Sequence, residues 1–135
     1  PTTTSSLAGV RILVIEDNLD LQFLIDKALS EHGAIVSTAD NGFSGIESAL
    51  NNYFDIVLMD LQMPILSGHE AIKILRAKNY KDTVIALTAH ASRDERKNCL
   101  LIGFDECLSK PIQGKKLVET MLKFVKTDFK NQNAQ

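Results

Sequence analysis

The chain has 135 residues, with 15 Lys and Arg against 17 Asp and Glu, 44% hydrophobic residues and 24% charged ones. That is the size and composition of one globular domain, and it excludes a disordered chain or a collagen-like repeat. The net charge of −2 gives no general attraction to nucleic acid or anionic lipid, and no apolar run nears the roughly 20 residues of a membrane helix.

Five apolar runs alternate with five amphipathic stretches. Val10–Ile15 (VRILVI) opens the series as a strand. Asn18 then caps a helix with Leu21, Leu24, Ile25, Ala28 and Leu29 on one stripe, and Gly33 marks its stop. Ala34–Thr38 (AIVST) is the second strand, followed by a helix from Asn41-Gly42 that aligns Phe43, Ile46, Ala49 and Leu50. Ile56–Met59 (IVLM) is the third strand; its lack of alternation is how a strand buried on both faces reads. Ser67 and Glu70 form a capping box ahead of Ala71, Ile74 and Leu75. Val84–Leu87 (VIAL) is the fourth strand, and Ser92 with Glu95 repeats the box ahead of Cys99, Leu100 and Ile102. Glu106–Ser109 (ECLS) is a weaker fifth strand, and after Pro111 a last helix aligns Leu117, Met121, Leu122 and Val125.

The order is (βα)₅, which predicts an α/β domain with a parallel sheet and helices on both faces. Residues 1–9 and 129–135 are expected to be flexible tails around a domain of residues 10–128. Cys99 and Cys107 have neither the CxxC spacing nor the nearby His pair of a zinc site. They are expected to be buried, reduced thiols, in keeping with a reducing compartment such as the cytosol.

In such sheets chemistry gathers at the carboxyl ends of the strands. Glu16-Asp17 follow the first strand, Asp60 the third, Thr88 the fourth and Ser109-Lys110-Pro111 the fifth. Three acids brought together repel one another unless a cation compensates them. Mg²⁺ suits such a group, because it takes carboxylate and phosphate oxygens while keeping several waters. Lys110 supplies a point charge for a phosphoryl group and Thr88 a hydroxyl donor. This inventory fits attack of a carboxylate on phosphorus, with Asp60 on the central strand as the nucleophile and Glu16 and Asp17 as metal-side acids. Taken singly, each residue has an ordinary explanation as a turn, cap or surface group; the case rests on their joint placement at one sheet edge.

The segments VRILVIEDN, DIVLMDLQMPILSG, VIALTAHA and LSKPI, in that order from Val10 to Ile112, resemble the receiver (CheY-like) domains of two-component signalling, found in response regulators and hybrid sensor kinases. The resemblance implies a flavodoxin-like three-layer sandwich of sheet order 2-1-3-4-5. It implies that Asp60 is the phosphoacceptor, and that Asp17, Asp60 and the main-chain carbonyl of Gln62 bind Mg²⁺ directly, with Mn²⁺ as a substitute. Glu16 would act through a metal-bound water, Thr88 and Lys110 would bind the phosphoryl group, and the Lys110–Pro111 bond would be cis. Gln62 and His90 would flank the path of the water that ends the phosphorylated state. Many receivers carry Tyr or Phe where Cys107 stands, so the usual inward swing of a ring is not available to this switch position.

The implied donor is a phosphohistidine, on a histidine kinase dimerisation domain or a histidine phosphotransfer protein. It would dock at the acidic edge against the first helix, where Phe23 lies off the apolar stripe and Leu21 is a second candidate. The expectation is a monomer in the cytoplasm, free or as part of a membrane-anchored hybrid kinase, that touches neither membrane nor nucleic acid and turns over no external substrate. The last ten residues are expected to be too few to form a DNA-binding module. VIALTAHA resembles the receivers of hybrid kinases more than those of transcription factors. Three alternatives compete. An aspartyl-phosphate phosphatase would carry an acid where Gln62 stands. A flavin domain would need a Ser/Thr/Gly-rich loop in place of Glu16-Asp17-Asn18. A receiver-like scaffold would bind partners without being phosphorylated.

Overall fold

The computed structural model describes the backbone of residues 6–133 and the side chains of residues 6–125. The elements alternate as β1 (Arg11–Ile15), α1 (Leu19–Ser30), β2 (Ile35–Ala39), α2 (Gly42–Asn51), β3 (Ile56–Asp60), α3 (Gly68–Ala77), β4 (Thr83–Thr88), α4 (Arg93–Ile102), β5 (Glu106–Ser109) and α5 (Gly114–Asn133). The strands form one parallel sheet in the order β2-β1-β3-β4-β5, as the resemblance implies.

The period-2 alternation of the strands builds two cores. Leu13, Ile15, Val57, Met59, Val84 and Ala86 face α2, α3 and α4. Ile12, Val14, Ile56, Leu58, Ile85 and Leu87 face α1 and α5. All five residues of β3 are buried, and each large aliphatic among them contributes about 1.5–3 kcal/mol by leaving water. Asp60 is carried at the end of this most buried strand, so its position is set by the packing of both cores.

The helix starts follow the caps. Asn18 Oδ1 accepts from the Leu21 N–H, Asn41 Oδ1 from the Ser44 N–H, and Ser67 with Glu70 completes the reciprocal box. At α4 the box is half formed. Ser92 accepts from the Glu95 N–H, but the Glu95 carboxylate stands 3.5 Å from His69 Nε2 on α3.

Several expectations are corrected. Leu7 is fully buried and its N–H bonds to His32 O at 2.7 Å, so the packed part of the domain begins before Val10; residues 1–5 of the expected tail lie outside the described residues. One apolar side chain within a polar stretch was enough to dock the backbone. At the other end α5 runs on through Asn133, because no Gly or Pro interrupts residues 126–133; residues 134–135 lie outside the described residues. Leu24, Phe43, Leu50 and Leu100, read as members of apolar stripes, are exposed. They sit at the margins of their stripes, where the helix surface has already turned away from the sheet.

Candidate metal and phosphoryl-binding site

The carboxyl ends of β1, β3, β4 and β5 converge. Carboxylate oxygens of Glu16, Asp17 and Asp60 all lie within 4.8 Å of one another. Glu16 and Asp60 are 1% and 2% exposed, and Asp17 is the most open of the three. The Lys110 ammonium reaches into this group from the end of β5, 3.2 Å from Asp60 Oδ1 and 3.5 Å from Glu16 Oε1.

Glu16 is held at several atoms. Its N–H donates to Ala39 O at 3.0 Å, and its Oε2 accepts from the Asn18 N–H at 3.1 Å. The Gln22 side-chain amide donates to Glu16 O at 3.0 Å and to Ala39 O at 3.4 Å, which ties α1 to the ends of β1 and β2. Burial pushes the Glu16 carboxyl up to about 7; the Asn18 N–H and Lys110 oppose this, and the charge of Asp60 adds to it. Glu16 Oε1 is buried without a hydrogen-bond partner. That oxygen, with three acids around one point, is what a hard divalent cation with oxygen ligands would satisfy, so the residues present fit Mg²⁺.

Asp60 Oδ1 also accepts from the Gln62 N–H at 3.1 Å. Thr88, 3% exposed at the end of β4, accepts from the His90 N–H through Oγ1 at 3.3 Å, and its carbonyl accepts from the Lys110 N–H at 2.7 Å. The Thr88 hydroxyl proton is therefore left to donate. The Lys110–Pro111 peptide bond is cis, as expected. Gln62 and His90 are exposed, on the loops that follow β3 and β4. Cys107 stands apart from this edge: it is 1% exposed, opposite Ala86 in the sheet and under α4, with its Sγ 3.6 Å from Cys99 Sγ.

Three supports escaped the sequence. The role of Gln22 needs a contact across 17 residues, and nothing local signals it. Gly68 opens α3 against the site: a Cβ there would lie 2.6 Å from Asp60 O and 2.7 Å from Leu61 Cα, and its N–H donates to Leu61 O at 2.9 Å. The glycine that ends the segment DIVLMDLQMPILSG thus lets a helix rest on the backbone of Asp60. Ile65, between them, has φ of 72° and is 86% exposed, a left-handed conformation that β-branched residues rarely adopt. A cavity of about 530 Å³ lined by Leu19, Gln22, Thr38, Asp40 and Ser44 opens nearby between α1 and α2, but none of the three acids lines it.

A family model described as the response regulator receiver domain matches residues 12–122. The sensor histidine kinase GacS of Pseudomonas protegens is 32% identical over an alignment of 140 positions that covers the whole chain and 15% of that kinase. The chain therefore corresponds to a small part of this relative. Among solved structures, the receiver domain of the Pseudomonas aeruginosa sensor histidine kinase PA1611 is 33% identical with a TM-score of 0.79, covering 87% of this chain and 98% of that one; it holds a magnesium ion in its active-site cleft. The receiver domain of Saccharomyces cerevisiae Ssk1, solved with the histidine phosphotransfer protein Ypd1, is 26% identical with a TM-score of 0.81, covering 87% of this chain and 89% of that one.

Proposed function

The chain belongs to the response regulator receiver domain family of two-component signalling, and from that premise we propose that Asp60 is its phosphoacceptor, charged from a phosphohistidine in a Mg²⁺-dependent reaction. One observation carries the reading: the Asp60 carboxylate sits within 4.8 Å of Glu16 and Asp17 oxygens while Lys110 Nζ stands 3.2 Å from it.

Asp17, Asp60 and the Gln62 carbonyl would hold the ion directly and Glu16 through a water, with Mn²⁺ able to substitute. When bound, Mg²⁺ supplies charge neutralisation for the acids and the phosphoryl oxygens. A carboxylate oxygen of Asp60 attacks phosphorus, the P–O bond forms, the P–N bond to the donor histidine breaks, and the imidazole leaves. Lys110 passes from the Asp60 carboxylate to a phosphoryl oxygen. Thr88 donates its hydroxyl proton to another, which draws the loop after β4 inward. Gln62 and His90 border the approach of the water that later hydrolyses the acyl phosphate, so they set its lifetime. Because Cys107 has no ring to rotate, the readout runs through Thr88 and its loop rather than an aromatic swing.

The partner is a histidine kinase dimerisation domain or a histidine phosphotransfer protein. Leu19, Phe23 and Leu24 on α1 are 64%, 65% and 61% exposed and supply an apolar docking face beside the acids. The domain acts as a monomeric, cytoplasmic signalling module that turns over no external substrate and binds no nucleic acid. No helix among the described residues is long and apolar enough to cross a membrane.

The test is intact mass after incubation with acetyl phosphate and Mg²⁺. One phosphoryl group is expected, lost in Asp60→Asn and on chelation. No adduct, from a donor that labels a control receiver, would favour the unphosphorylated scaffold; repeated turnover of an organic phosphate would favour a phosphatase. With a phosphorylated histidine phosphotransfer protein as donor, Phe23→Ser is expected to slow transfer by about tenfold or more while labelling by acetyl phosphate is unchanged.

A further inference from the structure

Of α1 to α4, α4 is anchored by the fewest buried residues. Cys99 is its one buried residue, against Ile25 and Leu29 in α1 and four residues in each of α2 and α3. Ile102 is half-buried, while Leu100 and Leu101 are 55% and 80% exposed. A single thiol removes little apolar area from water, so α4 can open locally at a cost well below that of global unfolding.

That anchor rests on a second thiol. Cys99 Sγ donates to Cys107 Sγ at 3.6 Å, both residues are buried, and they are the two cysteines of the chain. A disulfide needs the sulfurs to close by roughly 1.5 Å, to about 2.05 Å. A rotamer change with slight settling of a loosely held helix supplies that movement. Neither residue takes part in the acidic site.

We propose that Cys99 and Cys107 form a reversible intramolecular disulfide site, closed by a hydroperoxide when α4 lifts from β5. Cys107 is the attacking thiol: burial, Glu95 and Glu106 push it up, but the Cys99 S–H that it accepts at 3.6 Å and the nearby Arg96 oppose this, whereas at Cys99 burial and Cys107 act together and push the thiol up to about 12. Its sulfur attacks the peroxide, an S–O bond forms, the O–O bond breaks, and the alkoxide leaves as an alcohol with a proton from solvent. The Cys99 thiolate then attacks the sulfenic sulfur. The S–S bond forms, the S–O bond breaks, and hydroxide leaves as water. Two thiols are oxidised and one hydroperoxide is reduced to alcohol and water. The link then pins α4 to β5 and suppresses the opening that admitted the oxidant.

The experiment treats the native chain with tert-butyl hydroperoxide and follows thiol count, intact mass and peptide mapping. Loss of both thiols and of two hydrogens, a linked Cys99–Cys107 peptide and full reversal by dithiothreitol are expected. Amides of α4 are expected to exchange about tenfold or more slowly in the oxidised form than in the reduced one. Cys99→Ser is expected to accumulate a one-oxygen adduct at Cys107 that dimedone traps, whereas Cys107→Ser stays unmodified at the same dose; circular dichroism verifies that both variants fold. Oxygen addition without a link in the wild type, disulfide-linked dimers, reaction only in denaturant, or the reverse order in the two variants would overturn the proposal.

Discussion

Lys110 Nζ stands 3.2 Å from Asp60 Oδ1, so the ammonium proposed to meet the phosphoryl group already rests against the carboxylate proposed to carry it. The same ammonium lies 3.5 Å from Glu16 Oε1, which makes it the counter-charge of the acidic edge as well.

Removing it therefore separates two roles. In Lys110→Ala, Mg²⁺ affinity by calorimetric titration is expected to stay within about threefold of wild type, because the oxygen ligands remain. Phosphorylation by acetyl phosphate is expected to slow by about a hundredfold, the scale of losing one preorganised charge at the reacting group. If metal affinity collapses instead, Lys110 organises the ion site and the assignment is wrong.

Glu16 gives the site a pH signature. Its carboxyl titrates at about 7 in the folded protein against an ordinary value of 4.5. Between those values the folded state binds more protons than the unfolded one. Its contribution to stability is thus fully present below the unfolded value and is lost as pH rises through the folded one. Urea denaturation in chelator is expected to show metal-free stability falling by on the order of 2 kcal/mol from about pH 5 to pH 8. Glu16→Gln is expected to flatten that fall, and saturating Mg²⁺ at the upper pH to offset it in the wild type. The same slope in Glu16→Gln would assign the titration to another group.

The loop between β3 and α3 carries strain at Ile65, a β-branched residue at φ 72° with 86% of its surface exposed. Asn tolerates this region through its short polar side chain. Ile65→Asn is expected to raise stability by about 1 kcal/mol, measured by the urea midpoint at unchanged slope. A loss would show that the isoleucine makes contacts that outweigh its backbone cost.

The acidic edge was legible because its residues directly follow strands. Once Ile56–Met59 reads as a buried central strand, Asp60 must emerge at a sheet edge, and Glu16-Asp17, Thr88 and Lys110 follow by the same logic. Helix stripes were less legible. Periodicity identifies the inward side but not the width of the contact, so Leu24, Phe43, Leu50 and Leu100 read as members of apolar stripes although they are exposed. Partnerships between distant side chains were invisible. Glu95 reads as the second half of a capping box but turns to His69, and Cys99 and Cys107 read as separate core residues but meet sulfur to sulfur. Such pairings depend on how helices settle on the sheet, which no local pattern records.

The Gln22 amide, bonded to the carbonyls of Glu16 and Ala39, ties the helix proposed to meet the donor to the main chain that carries the proposed metal-side acids. A protein gripping the outer surface of α1 cannot tilt that helix without tugging the main chain at the acid pair. Misaligned encounters would then disturb the very geometry they need, and fidelity toward the right donor would be screened at contact, before any phosphorus moves.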